Sequence, residues 1–155
     1  MRISDILAAT NVLGELTSRD REGVLRELAT HLTAQTPGLG LTADEVLRAL
    51  MAREKLGSTG VGDGVAIPHA KMPGLTHVVA CLGRAPAGID FDAIDHRPVT
   101  LFFLLLAPES SAGVHLKALA RVARLLKVQE LRQEILGLPD GPAIYRALLR
   151  EDAKV

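Results

Sequence analysis

The sequence predicts an α/β fold in which a central mixed β-sheet is flanked by helices on both sides. Three observations carry that prediction. Apolar residues recur at helical spacing at both ends of the 155-residue chain, and short strand-like runs occupy its middle. The segment Val99 to Ala107 is apolar apart from one Thr, as expected of a strand buried on both faces. The connections in the middle are too short to place a helix between every pair of strands, which makes the sheet mixed rather than all parallel.

Taken in order, Ile3, Ile6 and Leu7 form one face of a short first helix. Asp20 is the N-cap of a second, with Val24, Leu25, Leu28 and Leu32 at helical spacing and Thr36-Pro37-Gly38 at its end. Thr42 and Glu45 have the capping-box pattern and open a third helix through Val46, Leu47, Leu50 and Met51. That helix ends before Gly57, which puts Arg53 in its last turn, facing a glycine-rich loop. Strands are expected over Val65–Ile67, His77–Gly83 and Val99–Ala107, separated by Ala85-Pro86-Ala87-Gly88 and Asp90-Phe91-Asp92. Pro68 has no N–H to give to a ladder and should end the first strand, leaving His69 at its terminus. A long helix is expected over Gly113–Val128, capped by Ser110 or Ser111, with Leu116, Leu119, Val122, Ala123 and Leu126 as its inner stripe. Gln129–Gly137 and Gly141–Arg150 are further helical pieces.

Composition narrows the function. Residues 1–155 have the length of one domain, enough to bury about two thirds of the unfolded surface. Lys plus Arg number 18 and Asp plus Glu 18, so no field favours nucleic acid or an anionic membrane. Aromatic residues are 3% of the chain, too few for base-stacking platforms. The lone Cys81 excludes an intrachain disulfide and a multi-cysteine zinc site, and it fits a reducing compartment. Asp5 interrupts the N-terminal apolar stretch, so no signal peptide is visible, and no apolar run approaches the roughly 20 residues of a membrane helix. These features predict a cytoplasmic protein.

Chemistry concentrates in GSTGVGDGVAIPHAK, Gly57 to Lys71. Gly57, Gly60, Gly62 and Gly64 allow the backbone to approach a ligand closely, next to the imidazole of His69. His115 shares a helix face with Leu119, Val122 and Leu126, so it points coreward from the first turn of its helix. In α/β sheets, ligand crevices lie outside the carboxyl ends of strands, where the next helix begins and its free amides favour an anion. His69 and His115 converge if their two strands are neighbours. On local pattern alone, each has a competing account: a histidine bonded to a loop carbonyl for His69, a satisfied core histidine for His115. Arg53 taken alone is equally a charge that compensates a helix C-terminus. The GxxxxGK[ST] and GxGxxG loops are absent, as are HExxH and GxSxG. Asp90, Asp92 and Asp95 read as a solvated turn, and Cys81 as an inert core thiol.

A longer string is more specific than its parts. Arg53-Glu54-Lys55-Leu56-Gly57-Ser58-Thr59-Gly60-Val61-Gly62 followed by Gly64-Val65-Ala66-Ile67-Pro68-His69 resembles the signature of enzyme IIA domains of the bacterial phosphotransferase system, in the mannitol/fructose/nitrogen-regulatory superfamily. Ile89 to Asp95, Phe103 to Pro108 and His115 to Ala120 extend the resemblance, which spans residues 1 to 150. The Arg-Glu-Lys-Leu-Gly-Ser-Thr-Gly run and the Leu-Ala-Arg-Val-Ala-Arg-Leu-Leu helix make the chain most similar to the nitrogen-regulatory type.

The resemblance implies that a phosphorylated phosphocarrier protein donates its phosphoryl group to His69. His115 and Arg53 match the family's second histidine and its arginine, and are expected to stabilise the phosphoryl group. Ser58, Thr59 and Gly60 are the candidate phosphate loop. No metal or cofactor is called for, because cationic groups and amides neutralise the charge. Downstream partners are expected to be regulatory target proteins or, for a sugar-specific enzyme IIA, an enzyme IIB domain. An apolar rim of Val61, Val65, Leu75 and Leu104 is the expected docking surface for the donor.

Overall fold

The computed structural model describes residues 1–154. Helix α1 (Ile3–Ile6) leads through a 3-10 turn (Ala9–Asn11) to strand β1 (Val12–Leu13). Helices α2 (Arg21–Gln35) and α3 (Ala43–Glu54) follow. Strands β2 (Gly60–Gly62), β3 (Val65–Ala66), β4 (His69–Met72), β5 (Val79–Ile89) and β6 (Val99–Pro108) fill the middle. Helices α4 (Ala112–Leu126), α5 (Gln129–Gly137) and α6 (Gly141–Asp152) complete the described chain. The Asp20 carboxylate accepts from the Gly23 amide, and the Thr42–Glu45 capping box forms.

The six strands form one sheet in the order β1-β5-β6-β3-β2, with β4 also on β6. β5 is antiparallel to β6, whereas β3 and β4 run parallel to it, so the sheet is mixed. Along β6, Leu101, Phe103, Leu105 and Ala107 pack under α1, α4, α5 and α6. The alternate residues Phe102, Leu104 and Leu106 pack under α2 and α3. Period-two alternation through an all-apolar strand thus joins two helical layers to one sheet. Among the described residues, no helix is long and apolar enough to cross a membrane.

One expectation holds and three are corrected. Pro68 ends the first strand, but pairing on β6 resumes directly after it: Val65 and Ala66 pair with Leu101 and Phe102, and His69 to Met72 pair with Leu105 to Pro108. The offset along β6 is the same on both sides of Ile67-Pro68, so the proline interrupts the ladder without shifting its register. β5 begins at Val79 rather than His77, and it runs through Ala85-Pro86-Ala87-Gly88 to Ile89 over a register irregularity. That irregularity is where a strand tolerates proline. Ser111 occupies the N-cap position of α4, but its side chain makes no capping bond. Leu116 is 65% exposed, and the inner stripe of α4 is His115, Ala118, Val122, Leu125 and Leu126.

Candidate functional site

Alternation places the histidine. Val65, Ile67 and His69 point to the same face of the β3–β4 line, and Val65 and Ile67 belong to the core under α4. His69 lies opposite Leu105, near the carboxyl end of β6, so it emerges where that core opens beneath the first turn of α4. The stripe of α4 that faces the sheet begins with His115, which is 6% exposed. The two rings meet with centroids 5.3 Å apart and planes inclined by 50°. The convergence of two strand-following histidines is therefore realised, because β4 and β6 are parallel neighbours.

His69 is half-buried, and its Nδ1 lies 2.7 Å from the Ile67 carbonyl oxygen. A carbonyl only accepts, so Nδ1 carries the proton and Nε2 is left bare. The loop-carbonyl bond considered for His69 is thus present, and it leaves the other ring nitrogen unprotonated. Burial is the largest influence on its acidity and pushes the pKa below the usual histidine value. The Arg53 charge acts in the same direction, against the Ile67 bond and the Glu54 carboxylate. His115 is also held below its usual value, first by burial, then by His69 and Lys71. Its Nδ1 is buried without a hydrogen-bond partner among the described residues.

Arg53, in the last turn of α3, donates from Nη1 to the Gly57 carbonyl at 2.8 Å. The glycine loop is a strand and a hairpin as well as a loop. Asp63 and Gly64 both have positive φ and turn β2 back onto β3, as a two-residue hairpin requires. The Asp-Gly pair was the available signal for it. The Ser58 and Thr59 hydroxyls and the Thr59 and Gly60 amides are engaged within the protein. The Ser58 hydroxyl donates to the Phe91 carbonyl at 2.8 Å and accepts from the Gly60 amide at 3.0 Å. The Thr59 hydroxyl donates to Glu54. They build the loop rather than offer those groups to an anion. Glu54, to which no role attaches from its place in the sequence, is 5% exposed beneath this loop.

The expected docking rim changes membership. Val65, Leu75 and Leu104 are buried, and of that set only Val61 is exposed. The most exposed apolar side chains are instead Leu56 after α3, Ile94, whose Cγ2 lies against Gly62, and Leu116 beside His115. Cys81 is buried mid-strand, its thiol pushed up to about 12 by burial. Among the described residues, no three His, Cys, Asp or Glu side chains gather as a metal site.

Residues 5–151 match the family described as phosphoenolpyruvate-dependent sugar phosphotransferase system, EIIA 2. A nitrogen regulatory protein of Bradyrhizobium diazoefficiens is 43% identical over 148 residues, which cover 96% of this chain and 95% of that protein. The fructose-specific EIIABC component of Bacillus subtilis is 31% identical over 152 residues, 98% of this chain but 24% of that protein. The crystal structure of nitrogen regulatory protein IIA-Ntr from Neisseria meningitidis superposes with a TM-score of 0.86 at 31% identity, covering 94% of this chain and 98% of that one. The paired histidines thus stand on a shared fold as well as a shared sequence, and the chain belongs to the EIIA 2 family of the phosphotransferase system, on its nitrogen-regulatory side.

Proposed function

We propose that this chain accepts a phosphoryl group on Nε2 of His69 from a phosphorylated carrier protein, and that the added charge alters its binding to regulatory partners. The bare Nε2 carries the proposal. An imidazole with Nδ1–H committed to a carbonyl presents a neutral nucleophile that also leaves readily, as two-way phosphoryl traffic requires. As the Nε2–P bond forms, the donor's bond to phosphorus breaks and its electron pair stays with the donor. Nδ1–H remains on the Ile67 carbonyl, so no other base is needed.

The phosphoryl group brings about two negative charges. Arg53, the unpartnered His115 ring and the first amides of α4, which no side chain caps, are the groups suited to meet it. Positioning and charge stabilisation of this kind dominate phosphoryl transfer, which leaves little covalent work to the protein. Leu56 (85% exposed), Val61, Ile94 and Leu116 are the apolar side chains suited to seat a carrier protein.

The likeness to the nitrogen regulatory proteins favours a regulatory output. The fructose-specific relative supports a second reading, in which the phosphoryl group passes on to an enzyme IIB domain. Incubation with a phosphorylated carrier protein, followed by intact mass, tests both. Wild type should gain one phosphoryl group and His69→Ala none. Rapid loss of that group to an enzyme IIB domain would favour the sugar-specific reading.

A further inference from the structure

Glu54 is an unusual carboxylate. It is the last residue of α3, where the negative end of the helix dipole disfavours an anion, and only 5% of it is exposed. Its nearest cationic partner is Arg21 Nη1, 3.9 Å away on a partly exposed side chain. What holds it is Thr59, whose amide donates to Oε1 and Oε2 at 3.2 and 3.3 Å and whose hydroxyl donates to Oε1.

The clamp does not stop at the loop. The Thr59 carbonyl accepts from the Ile67 amide at 3.0 Å, and the Ile67 carbonyl accepts from His69 Nδ1–H at 2.7 Å. Three consecutive contacts therefore connect a buried carboxylate to the nitrogen that fixes the tautomer of the acceptor. Pro68 makes this restraint necessary. It removes the amide that would have tied the strand down just before His69, so Ile67 is held by Thr59 on one side and, through the Pro68 carbonyl, by the Leu105 amide at 2.9 Å on the other.

We propose that Glu54 is a positioning residue for phosphoryl transfer: by clamping Thr59, which holds the Ile67 amide, it helps to fix Ile67, whose carbonyl holds His69 Nδ1–H and keeps Nε2 bare. The inference rests on His69 being the acceptor. It is supported by the electrostatics of the site, where Glu54 and its neighbour Arg53 act on the proton affinity of His69 in opposite directions.

The test follows two readouts in wild type, Glu54→Ala, Glu54→Gln and Thr59→Val: the rate of phosphoryl acceptance from a phosphorylated carrier protein, and the ¹⁵N spectrum of the His69 ring. Wild type should show the tautomer protonated at Nδ1. Glu54→Ala should shift the ring to mixed tautomers and slow transfer by about 10-fold or more. Glu54→Gln can accept from the Thr59 amide and donate to its hydroxyl, and should recover most of both readouts. If Glu54→Ala does not fold, Thr59→Val tests the clamp from its other end, with the same expected direction. A folded variant with the wild-type tautomer and rate overturns the proposal, as does a slowed variant whose tautomer is unchanged. Failure of wild type to take phosphate on His69 would overturn the proposed function instead, so the two failures are distinct.

Discussion

Two imidazoles 5.3 Å apart, both held below their usual pKa, are neutral at neutral pH. Protonation of His69 removes the lone pair on Nε2, so acceptance should fall on acidification through a value lower than the ordinary histidine pKa of 6.5. A pH–rate profile of single-turnover transfer checks this, and a midpoint above 6.5 would contradict it. Stability has the same sign. Below about 6.5 the unfolded chain binds protons that the folded sites refuse, so stability drops as pH falls from there toward the depressed folded values, and levels off below them. Replacing both histidines with Gln should flatten that part of the curve of melting temperature against pH. At His115, Ala should leave His69 as the modified residue but slow acceptance by about 100-fold, the usual cost of one stabilising donor. Phosphate on His115 in the wild-type protein would refute that division of roles. His69, His115 and Arg53 were legible in the sequence because each occupies a motif position and a predictable helix face or strand end. Glu54 was not, since a glutamate at a helix end ordinarily faces water.

At the level of elements, the loop that bears the site is propped by another loop. Ile94 donates its amide to the Gly60 carbonyl at 3.2 Å, and Asp95 accepts from the Asp63 amide at 3.1 Å. Contact is tightest at Gly60, where an added Cβ would lie 2.7 Å from the Ala93 Cβ and 2.9 Å from its Cα. Gly60→Ala should therefore push the two loops apart, cost about 1–3 kcal/mol in chemical denaturation, and slow phosphoryl acceptance without moving it from His69. The element reading succeeded where caps and apolar spacing dominate, as in α2 and α3. It fell short after Pro68, where pairing resumes as β4, and at Pro86, because a proline removes one ladder bond but cannot overrule the pairing of residues on either side. β6 supplies that pairing, and nothing local announces it.

Across the whole molecule, β5 and β6 contribute side chains to both helical layers, so neither layer has a core of its own. We expect one cooperative unfolding transition, with circular dichroism and the His69 ring signal changing together; separate midpoints would count against a single folding unit. Arg84 is a distant tie in this arrangement. Buried on β5, it donates from Nε to the Gly14 carbonyl at 2.7 Å and from Nη1 to the Ile135 and Leu138 carbonyls at 2.8 and 2.6 Å. Arg84→Leu should cost about 3 kcal/mol by stranding those carbonyls, while leaving phosphoryl acceptance intact where the protein is folded. Local chemistry, written along the chain, settled the helices and the buried central strand and singled out His69 as the candidate acceptor. Apolar spacing, caps and a continuous motif act over a few residues and need no partner to be read. The meeting of His69 with His115, the bare Nε2 and the burial of Glu54 were decided only when β4 lay parallel to β6 and α4 closed over them. Those are distances between segments far apart in sequence, set by strand register and the packing of two cores on one sheet.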